Sequence, residues 1–478
     1  MHRDHRIPLA AAAVALVTLS TPRLAAAQTP GPANAVTPRV HRPTARAPNV
    51  VLVMMDDMGY GDLGSYGAPD ARTPNIDRLA REGVRLTDAY ANGAVCTATR
   101  AGLISGRYQQ RAGLEWVLTG SSADRERGLP ADGMSLPALL KTTGYATGLF
   151  GKWHLGWKPE FRPNAHGFDE FFGFLSGAHD YYSGSADGPP DLYENAKPVE
   201  PSGYLTDAIT RHAVGFVTRH AGGGPFFLEV AYNAVHWPFE PPDRPPAAGS
   251  APRPLRQMAD DSLPATRGDY VRMLERADQG VGEILAALDR LGLAGNTLVI
   301  FTNDNGGEWL SRNAPLFHRK GTLWEGGIRV PLILRWPGVL PAGKTSAQVA
   351  ITMDLTASIL AAAGTRLPEG YRPDGIDLLP ILRGNGPLRE RRLFWRISQP
   401  NRRQRAVRSG RWKLLIDGGQ LLLFDVAGDP GERTDLAARH PEIVGRLERL
   451  LADWERDVGR YPMRKTQRRR GVGPSGSS

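Results

Sequence analysis

Asn49-Val50-Val51-Leu52-Val53-Met54-Met55-Asp56-Asp57 is the stretch that decides the fold class of this 478-residue chain. A continuous apolar run of strand length, Val50–Met55, reads as a strand buried on both faces, and two adjacent carboxylates follow it at once. The same form recurs at Tyr145–Phe150, Phe226–Ala231, Leu298–Thr302 and Val330–Leu334. Helical patterns separate these runs. Thr73–Gly83 places Ile76, Leu79 and Ala80 on one side, and Asp269–Leu291 places Val271, Leu274, Ala277 and Val281 on one face. Apolar strands between helices predict an α/β fold with a mixed, mostly parallel sheet between helices.

After about Leu393 the style changes. Leu393–Ile397, Gln404–Val407, Trp412–Ile416 and Leu421–Asp425 are short strands joined by turns such as Ser409-Gly410 and Gly418-Gly419. Pro441–Glu455 follows as a helix, with Ile443, Leu447, Leu450 and Leu451 on one side. This predicts a small C-terminal antiparallel sheet-plus-helix subdomain. The expected organisation is a signal peptide at 1–27, a linker at 28–48, an α/β catalytic domain at 49–390, the antiparallel subdomain at 391–462 and a disordered basic tail at 463–478. Pro238–Pro264, rich in proline, is expected to be a long surface loop, and Trp157–Tyr193 a second loop that shapes specificity.

The net charge of +10 is confined to the two ends. Arg3 and Arg6 against Asp4, then Arg23, Arg39, Arg42 and Arg46, precede Asn49, and Arg464, Lys465, Arg468, Arg469 and Arg470 follow Pro462, so Asn49–Pro462 is formally neutral. That placement argues against a nucleic-acid surface on the folded body. Charge in Met1–Pro8, the apolar run Leu9–Leu19 and the small-residue site Ala25-Ala26-Ala27 form a secretory signal pattern. The expectation is an exported chain, periplasmic or secreted, without integral membrane contact. Its only cysteine, Cys96, cannot form an internal disulfide.

Reactive residue types gather just after the apolar strands: Asp56 and Asp57, Lys152 and His154, His236, and Asp304 and Asn305. Each cluster alone also reads as ordinary structure, because paired aspartates cap helices and Asp-Asn-Gly-Gly makes turns. Together they share one topological position, and parallel sheets bind ligands beyond the carboxyl ends of their strands. Asp56, Asp57, Asp304 and Asn305 offer only oxygen donors, which suit a hard divalent cation such as calcium or magnesium. A helix predicted from Cys96 to Ile104 would put the thiol at a helix N-terminus, a place that receives tetrahedral anions, with Arg100 one turn on. A small buried hydrophobe is the equal alternative for this cysteine.

In combination these segments resemble the type I sulfatases of the alkaline phosphatase superfamily. Cys96-Thr97-Ala98-Thr99-Arg100, continuing to Ser105-Gly106-Arg107, is similar to the sulfatase signature. Asp56-Asp57-Met58-Gly59-Tyr60-Gly61-Asp62, Thr73-Pro74-Asn75-Ile76-Asp77, Gly151-Lys152-Trp153-His154-Leu155-Gly156, Asn303-Asp304-Asn305-Gly306-Gly307 and Lys320-Gly321-Thr322-Leu323-Trp324-Glu325-Gly326-Gly327 match further blocks in the family's order. The resemblance covers nearly all of Asn49–Glu455 and implies an alkaline-phosphatase-like fold.

It also implies a mechanism. A maturation enzyme oxidises Cys96 to formylglycine, whose hydrate attacks the sulfur of a sulfate ester. Asp56, Asp57, Asp304 and Asn305 would hold Ca2+, and Lys152 and Lys320 would bind sulfate oxygens. Arg100 would fix the formylglycine side chain. His236 would protonate the leaving oxygen, His154 would serve as the base that releases sulfate, and His179 would reach the substrate. The substrate implied is a sulfated small molecule or glycan. Position 98, usually proline, is alanine here, so the maturation enzyme must accept that variant. The alternatives are a phosphonate or phosphate ester hydrolase of the same superfamily and a non-catalytic sulfated-glycan binder.

Overall fold

In the computed structural model the described residues are 47–183, 191–245, 264–384 and 387–460. The expected signal peptide, nearly all of the expected linker, the expected basic tail and most of the Pro238–Pro264 segment lie outside them. Along the chain the strands are β1 (Asn49–Met55), β2 (Val84–Leu86), β3 (Ala89–Tyr90), β4 (Ala146–Lys152), β5 (Glu170–Phe174), β6 (Leu192–Glu194), β7 (Lys197–Pro198), β8 (Phe226–Ala231), β9 (Thr297–Asn303), β10 (Leu332–Arg335), β11 (Lys344–Ser346), β12 (Ala350–Ile351), β13 (Arg392–Gln399), β14 (Arg402–Ser409), β15 (Trp412–Asp417) and β16 (Gln420–Asp425). Ten form one sheet in the order β11-β2-β10-β9-β1-β8-β4-β5-β6-β7.

All seven residues of β1 are buried, so the strand needs a neighbour on each edge and cover on each face. Its neighbours β9 and β8 are both parallel to it, and β4 and β5 extend the parallel block. Met55 pairs with Asn303, Met54 with Ala231, and Ala231 with Gly151. That register brings the carboxyl ends of β9, β1, β8 and β4 to one edge. On one face Val50, Leu52 and Met54 pack with Ala101, Leu103, Leu355 and Ile359 of the Cys96–Ser105 and Met353–Ala362 helices. On the other, Val51, Val53 and Met55 meet the Pro74–Glu82, Leu205–His220 and Arg267–Arg290 helices. Asp278 of the last accepts hydrogen bonds from the amides of Asn75 and Ile76, which satisfies orphan donors at the start of the first.

The structure departs from the expected boundaries in two informative places. β4 runs on to Lys152 because Lys152 pairs with Phe174, so the lysine closes the strand instead of following it. Its partner β5 falls inside the Trp157–Tyr193 segment and β6 begins there, so the segment is not one loop. The Val330–Leu334 run becomes β10, antiparallel to both β9 and β2.

β13 to β16 form an antiparallel meander against the Pro441–Arg460 helix. Lys413 of β15 lies 2.9 Å from both Glu325 and Glu432 with all three side chains fully buried. Trp395 donates to the Ala91 carbonyl at 2.9 Å. Among the described residues no helix is long and apolar enough to cross a membrane.

Glu229, in the middle of β8, is buried between Leu52 and Leu149 of the flanking strands. Burial pushes its carboxyl up to about 7, with Arg100 pulling the other way. With the folded-state value raised, the stabilisation holds below the unfolded value and is lost as pH rises through about 7. Glu229→Gln should therefore melt close to the parent near pH 4.5 and increasingly above it up to about pH 7. The gap in stability should reach on the order of 3 kcal/mol. Thermal unfolding across that window measures it, and a gap independent of pH would contradict the assignment.

Candidate active site

Beyond β1 the chain turns through Asp56 and Asp57, the latter held at φ 59°, a left-handed conformation costly for a residue with a side chain. The helix that begins at Cys96 points its N-terminus at this turn. Its cap residue, Val95, offers no side-chain acceptor, so its first amides have no cap. Cys96 Sγ lies 3.6 Å from Asp56 Oδ1. Lys152 Nζ donates to Asp56 Oδ2 at 2.6 Å, and Lys320 Nζ to Asp57 Oδ2 at 2.6 Å. Arg100 reaches Asp304 Oδ2 through Nε at 3.2 Å and Nη2 at 2.9 Å, and donates Nη1 to the Lys152 carbonyl. Asn305 Nδ2 donates to Asp57 Oδ1 at 2.7 Å.

Three carboxylates and three cations thus share one buried cluster. Burial, then the Asp304 and Asp57 charges, push Asp56 up to about 8 against the pull of Lys152. Burial acts in the same direction on Asp57, but Lys320, His236 and Lys152 outweigh it and hold Asp57 below the usual carboxylate range. Burial also pushes the Cys96 thiol up, and Lys152 and Lys320 offset only part of that. A cysteine used as a thiolate has the opposite shift.

The donors fit a metal ion. Asp56, Asp57, Cys96 and His236 each offer a ligand atom, all within 4.8 Å of one another. Asn305 Oδ1 is buried without a hydrogen-bond partner among the described residues. An orphaned amide oxygen beside mutually repelling carboxylates is what a hard divalent cation relieves.

The cluster forms the floor of a cavity of about 440 Å³ lined by Cys96, His154, His236 and Lys320. His236 shares Nδ1 with the Trp237 carbonyl at 2.7 Å, so Nδ1 carries the proton and Nε2 faces Asp57 Oδ2 at 3.4 Å. His154 is the reverse: Nε2 donates to the Leu118 carbonyl at 2.9 Å and Nδ1 has no partner among the described residues. Burial first, then cationic neighbours, hold both rings well below the ordinary histidine value.

The nucleophile candidate, both lysines, Arg100, the three aspartates, Asn305 and His236 are joined by these contacts, and His154 lines the same cavity. His179 does not line it. Its ring lies against Phe174 with centroids 5.2 Å apart, and its Nδ1 meets the Asp180 carbonyl. Glu308, 3.3 Å from Lys320, escaped the sequence reading although it directly follows Asn-Asp-Asn-Gly-Gly. Trp116, Trp237, Arg319 and Arg402 also line the cavity, and no local sequence signal marks them.

Residues 48–365 match the family described as Sulfatase. The chain belongs to the sulfatase family. Residues 315–457 of this sulfatase also match the family described as N-sulphoglucosamine sulphohydrolase, C-terminal. It is 37% identical over 376 residues to N-acetylgalactosamine-6-sulfatase of Mus musculus, covering 73% of this chain and 68% of that one. It is 34% identical over 480 residues to arylsulfatase A of Bos taurus, covering 86% and 89%. Among solved structures it superposes on Ps i-CgsB in complex with k-i-k-neocarrahexaose with a TM-score of 0.78, at 32% identity over 89% of this chain and 96% of that one. PsFucS1 sulfatase from Pseudoalteromonas sp. gives 0.69 at 27% identity, covering 88% and 92%. The chain is accordingly a sulfuric ester hydrolase with the alkaline-phosphatase-like fold.

One glycine controls the orientation of His154. A Cβ added to Gly177 would lie 2.5 Å from His154 Cε1 and 2.7 Å from Nε2, closer than such contacts occur. Gly177→Ala should displace the ring, break its bond to Leu118 and lower kcat about tenfold or more. The melting temperature should change little. Steady-state kinetics alongside thermal unfolding checks this, and unchanged kcat would refute it.

Proposed function

We propose that this sulfatase hydrolyses a sulfate monoester of a carbohydrate or aryl alcohol at Cys96, converted to formylglycine, with Ca2+ bound beside it. The observation that carries the reading is a cysteine at an uncapped helix N-terminus, surrounded by three carboxylates and three cations, with burial pushing its thiol up. Such an environment disfavours catalysis by the thiol itself and favours a modified residue that offers oxygen.

Formylglycine, once formed, supplies a hydroxyl nucleophile in place of the thiol. Calcium would be held by Asp56, Asp57, Asp304 and Asn305, and would supply Lewis-acid polarisation and a lowered nucleophile pKa. The three cations already balance the three carboxylates, so an added divalent cation leaves a positive excess that attracts an anionic ester. Lys152 and Lys320 then neutralise sulfate oxygens, and Arg100 stays braced on Asp304. His236, its Nδ1 proton committed to Trp237, would take up a second proton from solvent on Nε2 once the anionic ester is bound, and pass that proton to the leaving oxygen. His154 offers an unshared pair on Nδ1 and takes up the proton released when sulfate departs. The N-terminal segment would direct the chain out of the cytoplasm, with cleavage before Gln28.

Three measurements test this. In active protein the Cys96 peptide should weigh about 18 Da less than the thiol form, the change expected of a formylglycine nucleophile. Active protein carrying only the thiol would overturn the reading. Chelation should abolish turnover of aryl sulfates and calcium should restore it. Undiminished activity in metal-free protein, or recovery with zinc alone, would remove calcium from the proposal. Matched aryl phosphates should be turned over far more slowly than the sulfates.

A further inference from the structure

The rim of the cavity holds cations that the sulfate-handling floor does not need. Lys320 is occupied with Asp57 and Glu308, and Lys152 with Asp56. Arg319 and Arg402 also line the cavity, and neither has an ion pair among the described residues. Among the described residues Glu308 is the only acid on the lining, so the balanced floor gives way to a positive rim.

The rim is built by side chains from distant parts of the chain. Arg402 starts β14 and donates Nη1 to the Gly321 carbonyl at 2.6 Å. A Cβ on Gly321 would lie 3.1 Å from Arg402 Nη1 and 3.7 Å from Trp116 Cη2, so arginine and indole converge over the same glycine. His318 is also on the lining, and burial and then the charges of Arg402 and Arg319 hold it down. Trp237, next to His236, adds a second indole beside the leaving-group acid. Indoles present broad, rigid apolar faces of the kind that pack on sugar C–H faces. Guanidinium groups bind carboxylate or sulfate oxygens in a fork geometry. An aryl sulfate would use the indoles and leave the arginines idle.

We infer that the cavity takes a saccharide carrying a second anionic group besides the scissile sulfate, read by Arg319 and Arg402 while Trp116 and Trp237 hold the ring. This deepens the sulfatase reading and rests on it. The second group is a sulfate or a carboxylate, and the two share the chemistry that the arginines recognise.

The test compares kcat/KM of the matured, calcium-loaded protein for four esters: nitrophenyl sulfate, a neutral monosulfated disaccharide, a disulfated disaccharide and a monosulfated disaccharide containing a uronate. The parent should prefer at least one doubly charged disaccharide over the neutral one by about tenfold or more, the range that charge-assisted hydrogen bonds supply. Whichever is preferred identifies the second group. In Arg319→Gln and Arg402→Gln that ratio should collapse towards one, mainly through KM, and Arg402→Lys should recover part of it. A parent that treats charged and neutral disaccharides alike overturns the inference. So does a loss in the variants that is equal for all four esters, which would mark the arginines as structural. Failure of the parent to turn over any sulfate ester would overturn the sulfatase reading itself, a result separable from loss of selectivity.

Discussion

Three carboxylates and three cations occupy a desolvated floor where no one of them is tolerable alone. Burying a single ion costs several kcal/mol, and the cost is offset only when partners arrive in hydrogen-bonding geometry. Asp56 and Asp57 come from the end of β1, Asp304 from the end of β9 and Lys152 from the end of β4. Arg100 comes from the Cys96 helix, and Lys320 from the loop that precedes Glu325. The parallel register of β9, β1, β8 and β4 is what delivers these groups to one place. A slip of one residue in β1 would invert its two faces and carry both aspartates away from their partners.

This mutual dependence also explains the conformational cost found here. Asp57 and His154 both sit at positive φ without being glycine. Each is fixed by several interactions at once: Asp57 by Lys320, Asn305 and His236, and His154 by Leu118 and the flat surface of Gly177. Strain persists where surrounding contacts over-determine the backbone.

The strands that deliver the site were legible in the sequence, because β1 is an unbroken apolar run and β8, interrupted by Glu229, and β9 are largely apolar, each with polar residues soon after. The edges of the sheet were not. β2, β11 and β6 are three residues long, too short for periodicity to register, and β10 reveals its antiparallel direction only through its pairing. At the site, residues inside compact motifs could be named in advance. Arg402 and Trp116 could not, because they reach the cavity through long-range packing. The placement of His179 was likewise invisible, since Phe174, which holds its ring, is committed to β5 by pairing with β4.

The C-terminal meander bears on the order of events in chain assembly. Gln404 accepts from the Leu323 amide, Arg402 from β14 grips Gly321, and Lys413 is sealed between Glu325 and Glu432. The loop that carries Lys320 is therefore clasped by residues made some eighty positions later, and Tyr90 meets Arg408 across 318 positions. Contacts of such separation form late. Until the last strands emerge and dock, the wall over Cys96 is incomplete; afterwards the cysteine is 1% exposed at the bottom of a cavity far too small to admit another protein. An enzyme that modified Cys96 would therefore have to reach it during a limited interval, before the last strands dock. The length of that interval is set by how far the final quarter of the sequence lags behind the first.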